Sequence, residues 1–115
     1  MFALIVNFQV RSGHEAAFDA LVAQTVDGIR AHETGTLLYA VHIVDSDPGT
    51  RVFYMLYGSR AAYDAHEKRD YTARFIAERA RHLAAPPRVQ FLTTRSVVTG
   101  TDRAGAAQSA RTSPS

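Results

Sequence analysis

The chain has 115 residues, of which 46% are hydrophobic and 21% charged, and its net charge is +2. That length has room for one domain and one core, burying about 65% of the surface the unfolded chain would expose. It contains no cysteine and no run of basic residues, which excludes disulfides and thiolate metal sites and argues against nucleic acid or an anionic membrane as the main partner.

The apolar stretch Phe2–Val6 is too short for a membrane span or a signal h-region and lacks a basic flank, so a cytoplasmic protein is expected. Residues 2–11 alternate with a period of two. Phe2, Leu4, Val6, Phe8 and Val10 share one face, and Ala3, Ile5, Asn7 and Gln9 share the other, which reads as a strand. Ser12-Gly13-His14-Glu15 has the spacing of a capping box, and Phe18, Leu21, Val22, Val26 and Ile29 come after it at helical spacing. A helix is therefore expected over residues 13–31, closed by Gly35 in a left-handed turn.

Thr36–Val44 and Val52–Gly58 read as a hairpin joined through the turn formers Asp45-Ser46-Asp47-Pro48-Gly49. Ser59–Ala85 is alanine-rich and helical, with a break near Lys68–Asp70 and an end at Pro86-Pro87. Its expected inward stripe is Ala62, Tyr63, His66, Ala73, Ile76, Ala80 and Leu83. Arg88–Val98 alternates again as a fourth strand. Residues 100–115 are small and polar and read as a disordered tail to a domain spanning residues 1–99.

The order β-α-β-β-α-β predicts an α+β, ferredoxin-like domain: a four-stranded antiparallel sheet with its helices on one face. The strands are apolar on both faces, a pattern of sheets buried on both sides. A second copy packed face to face would cover the side that two helices leave bare, so a homodimer through sheet faces is expected.

Three segments stand out: Ser12-Gly13-His14-Glu15, Glu33-Thr34-Gly35-Thr36-Leu37-Leu38-Tyr39, and Tyr57-Gly58-Ser59-Arg60-Ala61-Ala62-Tyr63-Asp64-Ala65-His66. On these the chain resembles the antibiotic biosynthesis monooxygenase (quinol monooxygenase-like) family of dimeric α/β barrels. The chain departs from the family pattern at Thr34, where proline is common, and at Met55, where glutamate is usual. The resemblance implies a cofactor-independent oxygenase, with neither cofactor nor metal, acting on a phenolic, anthrone or quinol-type aromatic and O2. Haem-degrading relatives of this fold combine an asparagine near the position of Asn7 with a tryptophan and a second-helix histidine. This chain has no tryptophan and reads Arg74-Phe75-Ile76 at the latter place, which argues against haem.

His66 is the expected catalytic base, because its helical phase points it at the sheet and imidazole titrates near neutrality. The expected substrate-binding residues are Asn7 and His42 as hydrogen-bond donors, Tyr39 as an aromatic wall, and Tyr71 and Arg74 at the rim to meet an oxyanion. His14, His32 and His82 fall at helix ends and read as solvated. A cofactor-free isomerase of a small carbonyl compound and a non-catalytic small-molecule-binding dimer are the two other readings compatible with the same residues.

Overall fold

A computed structural model describes residues 1–100 of the chain. The strands are β1 (Phe2–Gln9), β2 (Thr36–Val44), β3 (Asp47–Tyr57) and β4 (Arg88–Leu92). The helices are α1 (Glu15–His32), α2 (Arg60–Glu67) and α3 (Asp70–Arg79), with a short 3-10 turn at Ala80–His82 after the last. The sheet runs β2-β3-β1-β4 and is antiparallel throughout, which is the ferredoxin-like arrangement. The expected tail beyond Gly100 lies outside the described residues.

Alternation in the two central strands decides which side of the sheet holds the core. Leu4, Val6 and Phe8 of β1 and Phe53, Met55 and Tyr57 of β3 are all buried, and they pack with Phe18, Leu21 and Val22 of α1 and Phe75 of α3. Phe8, Phe18, Phe53 and Phe75 form a mutually contacting aromatic group at its centre. Charge enters this layer at β3. Arg51 is buried on β3, where its guanidinium donates to both Asp19 oxygens at 2.9 and 3.1 Å and ties α1 to the sheet. Two parallel N–H···O bonds of this kind hold direction as well as distance.

Several local expectations are corrected. The capping box does not form: α1 starts at Glu15, its N-cap His14 makes no side-chain cap, and Gly13 (φ 87°) turns the chain instead. The side-chain cap is at α2, where Ser59 accepts from the Ala62 N–H at 3.1 Å. Gly35 has no positive φ; it is small because a Cβ there would lie 2.7 Å from the Ala62 Cβ, where β2 begins against α2. The hairpin turn is only Asp45-Ser46, and Pro48 and Gly49 fall in a bulge early in β3 rather than in the loop. β4 ends at Leu92, well short of Val98.

The helical break does fall at Lys68-Arg69, between α2 and α3. It resets the helical phase of α3. There the buried residues are Thr72 and Phe75, while Ala73 and Ile76, and Ala80 just past the helix end, all expected inside, are exposed. His82 is also corrected: it is buried, and its Nδ1 lies 3.1 Å from the Nδ1 of His14.

Candidate functional site

The helices cover β1 and β3 but leave the β4 edge of that face open. A cavity of about 330 Å³ remains there. Its floor is Leu4, Val6 and Phe8 from β1, Tyr39 from β2, and Phe53 and Met55 from β3. Its roof is Tyr63, His66 and Glu67 from α2 and the stripe Thr72, Phe75, Ile76 and Arg79 from α3. Val89 and Phe91 of β4, both exposed, form the mouth. The volume lies at the small end of the ~300–1,000 Å³ usual for small-molecule sites.

His66 is 4% exposed and sits in this wall against the rings of Tyr39 and Tyr57. Its Nδ1 lies 2.9 and 3.0 Å from the two carboxylate oxygens of Glu33. An ionised carboxylate only accepts, so Nδ1 carries the hydrogen and Nε2 holds the free lone pair. Among the described residues Nε2 has no hydrogen-bond partner. The imidazole is thus held in one tautomer with its basic nitrogen unoccupied.

Glu33 is the principal residue that sequence reasoning did not place in the site. It lies just past the end of α1, with a side chain only 5% exposed, and it accepts from three donors. Thr36 Oγ1 donates at 2.5 Å, the Tyr71 hydroxyl donates a short bond, and His66 supplies the third. Burial alone would push the Glu33 carboxyl up, but the bonds from Thr36, Tyr71 and His66 outweigh it and hold it below the usual value. Glu33 is therefore anionic at neutral pH. Tyr71 is shifted the other way, by burial and by its bond to this carboxylate, and stays protonated as the donor.

A detectable signal for Glu33 did exist. A carboxylate at a helix C-terminus is opposed by the helix dipole, so its presence there points to specific partners.

The other expected residues divide. Tyr39 lines the cavity, and burial raises its pKa, which keeps its hydroxyl a neutral donor. Tyr71 supports Glu33 rather than facing the cavity. Its ring packs on α1 so closely that a Cβ at Gly28 would lie 2.4 Å from the Tyr71 ring. Asn7 and His42 are corrected. They stand on the opposite face of the sheet from His66, Asn7 beside Gln9 and Arg88 and His42 exposed opposite Val52, so neither can meet a molecule held at His66 in the same protomer. Arg74 is exposed and off the cavity, whereas Arg79, five residues on, lines it.

Solved structures share this architecture. A crystal structure of an antibiotic biosynthesis monooxygenase is 22% identical, with a TM-score of 0.76 over 84% of this chain and 100% of that one. Rv0793 from Mycobacterium tuberculosis is 26% identical, with a TM-score of 0.79 over 85% of this chain and 98% of its own. A Pseudomonas aeruginosa protein, PA3566, is 22% identical, with a TM-score of 0.74 over 83% of this chain and 94% of its own. Among curated proteins none matches. Residues 1–78, which carry both Glu33 and His66, match the antibiotic biosynthesis monooxygenase family, and the chain belongs to it.

Proposed function

We propose that the protein is a cofactor-independent monooxygenase that binds an anthrone- or phenol-type aromatic in the cavity beneath α2 and α3 and oxidises it with O2. The Glu33–His66 pair at the wall of an apolar, aromatic-lined cavity carries this reading. With an anthrone, Nε2 of His66 removes a methylene proton and Glu33 stabilises the imidazolium that results. The carbanion passes one electron to O2, and the radical pair joins to form a C–O bond. The peroxide takes the proton back from His66. Nε2 then removes the second methylene proton as the O–O bond breaks, and the departing hydroxide is protonated to water. Anthrone and O2 give anthraquinone and water, with every atom accounted for.

Oxygen uptake with an anthrone, against a buffer blank, tests this. One O2 per product is expected, and His66→Ala should lower the rate by about 10²–10⁴-fold, the usual worth of a general base. Unchanged turnover under strict anaerobiosis would instead identify an isomerase. Ligand binding without turnover, insensitive to His66→Ala, would identify a binding protein.

We further propose that the bare sheet face pairs with a second copy. Leu38 and Leu92 are 44% and 40% exposed on that face, beside the half-buried Ile5, Val52 and Tyr54, and among the described residues no helix covers them. At about 25 cal/mol per Å² of apolar surface, covering such a face is worth many kcal/mol.

A further inference from the structure

The roof of the cavity carries a cation with no direct partner among the described residues. Arg79 ends the α3 stripe, and its guanidinium lies 5.5 Å from the ring centroids of both Phe8 and Phe75. Among the described residues it makes no hydrogen bond and no ion pair. The contrast with Arg51 is direct, since that buried guanidinium is met by both oxygens of Asp19. The carboxylate whose charge acts on Arg79 is Glu67, which is exposed, lines the same cavity and stands beyond ion-pair distance. Burial draws Arg79 below its ordinary value, consistent with a guanidinium that has given up water without gaining an acceptor.

Two neutral donors line the same space without partners. Thr72 is 3% exposed and its hydroxyl is buried and unpaired. It is the third residue of α3, so the position four before it, Lys68, falls in the break, and the usual i−4 carbonyl of a helical threonine is not there. The Tyr39 hydroxyl likewise makes no hydrogen bond among the described residues. Buried polar groups are nearly always satisfied. Here three donors face one cavity whose other walls are apolar apart from Tyr63, His66 and Glu67, and none of the three is bonded by these; a bound acceptor would satisfy them, and an anionic one matches Arg79.

We infer that the substrate is an aromatic acid, its carboxylate held by Arg79 with help from the unpaired hydroxyls while its reacting carbon faces His66. The rings between the two ends suit a flat body. Tyr39, Phe53 and Phe75 succeed one another from His66 towards Arg79, with centroid separations of 5.9 and 6.1 Å. This specificity deepens the oxygenase reading and rests on it for the placement of the reacting carbon.

The experiment is binding by calorimetry to the full chain, with 2-naphthoate and its neutral counterpart 2-naphthalenemethanol as probes. The acid is expected to bind the wild type about tenfold or more tightly than the alcohol, the worth of a charge-assisted bond. Arg79→Met should remove that preference while leaving the alcohol's affinity nearly unchanged. Thr72→Val, which only exchanges a hydroxyl for a methyl, should reduce the preference without unfolding the protein. Equal affinity for the two probes in the wild type would overturn the inference, as would a preference that survives Arg79→Met. Neither outcome touches the oxygen-uptake result with a neutral anthrone, so failure of the acid site and failure of the oxygenase reading are distinguishable.

Discussion

Replacing Glu33 by glutamine keeps the shape of the side chain and removes its charge, so it isolates what the carboxylate contributes. Three bonds converge on it, from Thr36, Tyr71 and His66. Bonds to a charged group contribute about 1.5–3 kcal/mol each and neutral ones about 0.5–1.5, so neutralising the acceptor loses about 1 kcal/mol per bond. Relief of the buried charge returns part of this, leaving a net loss of about 2–3 kcal/mol. For a domain of about 100 residues that is a fall of roughly 10 °C or more in Tm, readable by circular dichroism at fixed protein concentration.

The pH dependence gives a second readout. Because folding lowers the Glu33 pKa from 4.5, its contribution is complete above that value and is lost as pH falls through the folded value. The gap between wild type and Glu33→Gln should therefore narrow in acid. A variant within about 0.5 kcal/mol of wild type at neutral pH, or a gap constant down to the acid limit of folding, would refute this account of the site.

Three other outcomes are expected. Tyr54→Lys, on the bare sheet face, should convert a species of dimer mass to monomer in light scattering, or leave the protein unfolded; an unchanged folded dimer would show that this face is not the interface. His82 is held below its ordinary pKa by burial, with Arg81 and His14 adding to it. Its neutral form thus stabilises the fold above pH 6.5, and this is lost in acid, so His82→Gln should flatten the urea-unfolding profile below that pH. Thr72→Val should unfold at the same temperature as wild type or slightly higher, because an unsatisfied buried hydroxyl is removed.

Topology is readable because each strand alternates and each helix repeats at 3.6 residues, and both signals survive without knowledge of neighbours. His66 is readable for the same reason, since Ala62 and Tyr63 fix the face of α2 on which it lies. Asn7 and His42 show where that reasoning ends. Alternation says that each shares a face with small or apolar residues, but with both faces of every strand apolar it does not say which face meets the helices. Arg74 reads as a rim residue because it lies where the helix resumes after the break at Lys68-Arg69, but the phase that restarts there turns Arg79, and not Arg74, to the cavity. Glu33 is legible as part of a motif, but its partners come from residues 36, 66 and 71, which only the folded chain assembles.

The close approach of Gly28 to Tyr71 gives the middle of α1 a say in chemistry it never touches. Any side chain at position 28 must displace the tyrosine ring, and with it one of the three donors that keep Glu33 ionised. A substitution on the flank of one helix would then reach the His66 imidazole on another, by taking a donor from the carboxylate that holds its tautomer. Position 28 therefore answers to the polar cluster at the cavity wall as well as to the packing of its own helix.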